Sequence, residues 1–248
     1  MKTCGDFLDL TFKKILANKK TIGLLGLFFI LIPQAIQSIF QFIRPPPEFD
    51  PLTTSIRAFL IQEIVIVHAI LGVMTTIFMI FFGLSIVHLA LDNKKQSHKE
   101  LITKSKNRIL QYLGFVLVIY ILIMILLLLF VIPGIIFIVY WGFASYVFIA
   151  KKSSIGTALK ESKDLVTGKW WLTFGYFLLI GLIGFGIIGL ITIVSNIFLL
   201  IPSIGPILVQ ISASIGTVIA NAIMFIFYGE IYKEWSKETK KAQTSPKK

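Results

Sequence analysis

Residues 131–137 read VIPGIIF, inside a run from Ile109 to Ala150 that holds 42 residues without one charged side chain, fenced by Arg108 and Lys151. As a single α-helix the run would be roughly 63 Å long, about twice the hydrocarbon thickness of a bilayer. Two helices joined by a tight turn resolve the mismatch, and Pro133-Gly134 marks where the turn belongs. Proline lacks an N–H and clashes with the preceding turn, while glycine tolerates backbone angles that other residues resist. Residues 109–132 therefore cross in one direction and 135–150 return, the second leg being short at roughly 24 Å. The alternative is one long tilted helix with a proline kink.

Composition names the solvent. The chain has 248 residues, of which 56% are hydrophobic and 15% charged, with a mean hydropathy of +0.87. Soluble domains carry nearer a quarter of charged residues, mixed throughout; here the charges cluster and leave gaps long enough to span a bilayer. The remaining charge-free runs place spans at about 21–43, 64–91, 172–201 and 207–228. Pro33 interrupts the first, which transmembrane helices tolerate better than soluble ones. Pro202 and Pro206 punctuate the turn between the last two. The expected fold is all-α: a polytopic membrane protein of six transmembrane helices arranged as three hairpins, in one domain over residues 1–236, with a disordered basic tail over 237–248.

A net charge of +12 and a pI of 9.8 would point to nucleic acid in a soluble chain. In a membrane protein, Lys and Arg collect in cytoplasmic loops instead. Residues 1–20, 92–108, 151–169 and 229–248 hold 22 of the 24 basic residues, and the opposite loops hold only Arg44 and Arg57. Six spans put all four basic segments on one face, so both termini are expected in the cytoplasm. Asp6 and Asp9 near the start, and the lack of a small-residue cleavage site after the first apolar run, point to a retained helix rather than a cleaved signal. Cys4 stands alone, so no internal disulfide forms.

Three basic segments precede spans one, three and five, and each sets apolar residues at helical spacing among lysines. They offer Leu8, Phe12 and Ile15; Leu101, Ser105 and Ile109; and Ile155, Leu159, Ser162 and Val166. Ser97 and Glu100 have the spacing of a capping box, and Gly168 is a natural helix stop. Beyond these segments RILQYLGF (108–115) aligns without gaps on KWWLTFGY (169–176), Gly114 over Gly175. The pattern is three units, each an interfacial amphipathic helix on the cytoplasmic side followed by a hairpin.

Residues 133–171, PGIIFIVYWGFASYVFIAKKSSIGTALKESKDLVTGKWW, resemble a prokaryotic group of six-helix membrane proteins known as the glycerophosphoryl diester phosphodiesterase membrane domain, with related uncharacterised families. The resemblance rests on Pro133-Gly134, the aromatic-rich helix after them, the helix from Ala158 to Gly168, and Trp170-Trp171. It implies the six-helix topology and the plasma membrane of a prokaryote. The chain ends at Lys248 without room for a phosphodiesterase barrel, so the enzymatic activity in the family's name is not carried over.

Catalytic chemistry has little to stand on. The three histidines are His68, His88 and His98, and no zinc-protease, nucleophile-elbow, phosphate-loop or paired-carboxylate motif is present. No metal set or cofactor is expected, and the SPKK ending alone is no case for nucleic acid. Glu63 and His68, about one and a half turns apart near the outer end of span two, form with Asn196 and Asn221 the candidate intramembrane polar site. Ser212, Gly216 and Ala220 recur every four residues on span six and are expected to pack closely on another helix, with Ile223 facing lipid. Span five is thinned by Gly181, Gly184, Gly186 and Gly189, for close packing or as a hinge. Trp170, Trp171, Tyr228, Tyr232 and Trp235 read as an aromatic belt.

Two classes of function follow. The first is a non-catalytic membrane component that organises lipids or partner proteins, a second copy of the chain included, through its basic inner face. Lys151, Lys152, Lys160 and Lys163 with Trp170 and Trp171 are then the candidate anionic-phospholipid contacts. A wider collar adds Lys13, Lys14, Lys19, Lys20, Lys94 and Lys95. The second is a small-solute transporter or channel with a path between hairpins. A transporter concentrates polar groups near the bilayer midplane, and here they are few and mostly peripheral, which favours the first.

Overall fold

The computed structural model describes residues 2–45, 63–201 and 204–244, and every regular element among them is helical. Residues 46–62, 202–203 and 245–248 lie outside the described part, as do the side chains of Glu63, Ile64 and residues 240–244. α1 (Cys4–Gly26) runs through a π-helical turn (Leu27–Leu31) into α2 (Ile32–Ile43). After α3 (Glu63–Leu91) come α4 (His98–Lys106), α5 (Ile109–Leu129), α6 (Val131–Trp141), α7 (Ala144–Lys151), α8 (Ile155–Val166) and α9 (Trp170–Ser195). A 3₁₀ turn (Asn196–Leu200) leads to α10 (Gly205–Thr244). Six of the resulting rods are long and apolar enough to cross a membrane: 4–43, 65–91, 109–129, 131–151, 170–200 and 205–239. The protein is an all-α polytopic membrane protein.

The hairpin inside the charge-free run is present, but its turn is not Pro133-Gly134. The chain reverses at Phe130, whose φ of −152° and ψ of 107° are extended, and Pro133 and Gly134 already belong to α6. Proline in the first helical turn gives up an N–H that has no intrahelical partner in any case. Gly134 is buried, and a Cβ there would overlap Leu127 of α5. The pair thus starts the second helix and lets it lie close to the first. The returning leg is itself interrupted at Gly142 and Phe143 before α7 resumes.

The three-unit pattern has a backbone signature. Each basic helix meets its span at one residue in the bridge region: Asn18 (φ −115°, ψ 15°), Arg108 (φ −126°, ψ −2°) and Lys169 (φ −127°, ψ 19°). Four and seven residues beyond each, the side chains are buried: Ile22 and Leu25, Tyr112 and Phe115, Thr173 and Tyr176. Spacings of four and seven keep one helix face toward the core. Gly168, with φ of 81°, ends α8 in the left-handed region that glycine enters without a Cβ clash.

Burial is concentrated at the end of the bundle that carries the basic segments. There the core holds Leu84 to Ala90 of α3, Phe143 to Ile149 around α7, and Ile226, Phe227, Ile231 and Trp235 of α10. The basic helices close over this end as a cap, burying Phe7 and Thr11, Leu101 and Ser105, and Ala158, Ser162 and Val166. Phe12 is 47% exposed, so the inward stripe of the first helix runs through Phe7 and Thr11 rather than Phe12. The capping box also sits elsewhere than expected. Thr3 and Asp6 form one at the start of α1, whereas the Ser97 side chain caps nothing and Glu100 pairs with Lys104 at 2.8 Å.

α10 continues as helix to Thr244, past the point at 237 where the disordered tail was expected to begin. The extension is held from the side: Trp235 is 1% exposed, edge-on to Phe143 at 5.6 Å, and Tyr232 stacks on Tyr146 at 5.8 Å. Tyr232 and Trp235 are therefore cap core and not an aromatic belt. Trp171, 78% exposed, has the surface position that a belt residue takes.

Candidate functional site

Two regions carry polar chemistry, the cap and a seam between spans one, two and six. In the cap, α10 presents Glu230, Glu234 and Glu238 one turn apart, and each holds a lysine. Lys14 lies 3.2 Å from Glu230, Lys2 2.9 Å from Glu234, and Lys169 2.7 Å from Glu238 while also standing 4.8 Å over the Trp235 ring. Lys14 also donates to the Ala90 carbonyl at 2.7 Å and the Asp92 carbonyl at 2.6 Å. Those oxygens belong to the C-terminal end of α3, where a cation is favourable. Lys14 is consequently a buried structural cap, and its expected place in the lipid-facing collar is corrected. The acidic ladder escaped the sequence reading, although Glu spaced by four on a helix facing a basic terminus was there to be found.

The other nine collar lysines, Lys13, Lys19, Lys20, Lys94, Lys95, Lys151, Lys152, Lys160 and Lys163, are exposed. Lys151 pairs with Glu161 at 2.6 Å, and Lys163 stands 5.7 Å over the Tyr140 ring. Phe12 and Leu16, 47% and 66% exposed, lie beside Lys13, Lys19 and Lys20, so α1 shows apolar rings and chains flanked by cations. Trp170 is half-buried, stacked on Phe174 at 5.4 Å. A groove of about 780 Å³ separates α8 from the α10 extension, lined among others by Lys151, Thr157, Lys160, Asp164, Tyr232 and Thr239. At the α3 end, a backbone N–H from Lys94 at 3.1 Å and the Lys104 ammonium hold the Asp92 carboxyl below its ordinary range.

The seam lies in the half of the bundle away from the cap. The Ile32 N–H reaches back five residues to Leu27; the π turn thus takes in one extra residue ahead of Pro33, which has no N–H to give. It also rotates the following helix, and α2 then meets α3 and α10 through its glutamines. Thr75 and the Gln37 side-chain oxygen lie 3.0 Å apart. Ser214, 1% exposed, contacts the side-chain oxygen of Gln34. One turn further out, His68 faces Phe40 at 5.0 Å between ring centres.

Of the expected four-residue polar site, the three members with described side chains, His68, Asn196 and Asn221, are not brought together. Asn221 donates to Thr217 of its own helix at 2.9 Å, and Asn196 is exposed in the 3₁₀ turn. His68 alone of these three stands beside the seam, and the Glu63 side chain is not described. Gln34, Gln37, Thr75 and Ser214 take the place of the predicted set. They were passed over because isolated Gln and Thr in apolar runs carry no charge and mark no motif.

The small-residue stripe does pack. A Cβ on Gly216 would stand 3.4 Å from the Ile188 backbone and 3.3 Å from the Ile191 side chain of α9, and one on Gly184 would meet Ala220 at 3.6 Å. Ser212, at the outer end of the stripe, donates to the Val209 carbonyl at 2.8 Å. Ile223 is 5% exposed, so it faces the core and not lipid. Gly181, Gly186 and Gly189 face open space, which leaves Gly184 as the packing glycine of α9. No family model, curated protein or solved structure matches the chain.

Proposed function

We propose that this membrane protein organises anionic phospholipid at the cytoplasmic leaflet, with the cap as its working surface and no chemistry of its own. The observation that supports this reading is the division of labour among the lysines. Lys2, Lys14 and Lys169 are drawn into the acidic ladder of α10, while nine collar lysines stay exposed around a cap that is already closed. Each near-surface lysine attracts anionic lipid by about 1 kcal/mol, screened over roughly 8–10 Å. The exposed Phe12 and Leu16 supply the apolar footing beside them.

The test is the lipid carried by protein extracted in native membrane discs. The anionic fraction should exceed that of the bulk membrane. Reversing Lys19, Lys20, Lys152 and Lys160 to Glu, none of them in an ion pair among the described residues, should bring it down to the bulk value without lowering the melting temperature. Reversing Lys240, Lys241, Lys247 and Lys248 equals that change in charge and should leave the enrichment in place. Equal enrichment in all three proteins would refute the reading.

The seam favours the second reading, a small-solute path. A helix irregular at membrane depth and lined by polar groups is where transporters bind their cargo. Solute flux in liposomes that is lost on Gln37→Leu and indifferent to the lysine reversals would select it.

A further inference from the structure

The seam's hydrogen bonds do not close on themselves. The Ser214 hydroxyl has one proton and two oxygens before it, the Gln210 carbonyl at 2.7 Å and the Gln34 amide. Thr75 repeats the arrangement with the Leu71 carbonyl at 2.9 Å and the Gln37 amide at 3.0 Å. Each hydroxyl can donate once. If the proton goes to the helix carbonyl, the amide must turn its nitrogen to the hydroxyl, and its own oxygen is left over. If the proton goes to the amide oxygen, the amide nitrogen is left over.

In either orientation each glutamine keeps both a donor and an acceptor without a strong protein partner among the described residues. The other contact of the Gln34 amide is the Met79 sulfur at 4.0 Å, which is weak. Hydrocarbon cannot satisfy such groups, and leaving them bare costs several kcal/mol on the order of magnitude of amide transfer.

Gln34, Gln37 and Ser38 are only half-buried, and Gln41 is exposed. They share one face of α2 at helical spacing, and Gln37 lies about 9 Å from the outer end of that helix. Toward the cap the way is shut by Phe29, stacked on Phe81 at 4.5 Å, and by Gly26, where a Cβ would fall 2.6 Å from Val218. Among the described residues the seam is closed at its cap end.

We propose that spans one, two and six enclose a water-filled crevice open on the face opposite the cap, and that its two carboxamides bind a small neutral solute able both to donate and to accept hydrogen bonds. Neutrality follows from the lining: Gln34, Gln37, Thr75 and Ser214 bring no formal charge to balance an ion. The inference does not rest on the lipid reading, since it concerns the other half of the bundle.

The experiment is thiol accessibility in a Cys4→Ser background. A membrane-impermeant methanethiosulfonate is applied to either side of sealed vesicles, with Ser97→Cys marking the cap side. Gln37→Cys and Ser38→Cys, the second nearly isosteric and expected to fold if the first does not, should react from the side opposite Ser97→Cys. Their rates should be at least tenfold above that of Ile36→Cys, which sits at the same depth on another face of α2 and is 54% exposed. Acetamide, a neutral solute with both hydrogen-bonding functions, should slow Ser38→Cys, in which both carboxamides remain, several-fold and leave Ser97→Cys unchanged. Rates no greater than that of Ile36→Cys would show a dry seam. Fast reaction of Ser38→Cys that acetamide does not slow would overturn the solute site.

Discussion

Glu230 is where a single side chain holds the cap together. Its carboxylate meets Lys14 at 3.2 Å and Lys233 at 2.6 Å, with side-chain exposures of 11% and 16% for the two lysines. A pair so shielded from water is expensive to break, because the remaining charges lose their partner in a poor solvent. Glu230→Gln should therefore destabilise by about 1–3 kcal/mol, softened because Lys14 keeps two carbonyl acceptors. Glu100→Gln removes an exposed pair on the same cap and should change stability by less than about 0.5 kcal/mol. Thermal or denaturant unfolding in detergent checks both, and equal losses would mean that burial of the Glu230 cluster contributes nothing. The glutamate spacing was legible in sequence, but the role of Lys14 was not. Lys14 looks like any other member of a basic segment until the end of α3 is placed under it.

Among the described elements, α9 and α10 make the most extensive contact, and the sequence shows why. Ser212, Gly216 and Ala220 fall on one face, and the backbone of α9 approaches at Ile188. Gly216→Leu should lower stability in detergent by about 1–3 kcal/mol through overpacking. Gly216→Ala should cost less, since its Cβ asks only a few tenths of an ångström from the Ile191 side chain. The control is Ile219→Leu, 41% exposed, which should be silent. A silent Gly216→Leu would place the stripe toward lipid. Span positions were readable because charge and length are robust signals. Element boundaries were not, because they depend on tertiary partners. The turn fell at Phe130 since proline favours a helix start, and the last helix outran its apolar stretch since Tyr146, Phe143 and Lys169 hold it. Ile223 was misplaced for a related reason: in an all-apolar helix, hydrophobicity does not tell core from lipid.

The whole molecule divides into a packed, basic end and an apolar, looser end with one polar seam. Clustering of basic charge announced the first, while the second emerged only when α2, α3 and α10 were brought side by side. Both functional readings depend on which way this axis points in the membrane. By the positive-inside rule the cap is expected in the cytoplasm, since residues 1–20, 92–108, 151–169 and 229–248 hold 22 of the 24 basic residues of the sequence. Labelling intact cells with an impermeant thiol reagent, in the Cys4→Ser background, decides it. Arg44→Cys should react in intact cells, and Ser97→Cys should react only after the membrane is permeabilised. Ser97→Cys reacting in intact cells, with Arg44→Cys protected, would contradict the account at its centre.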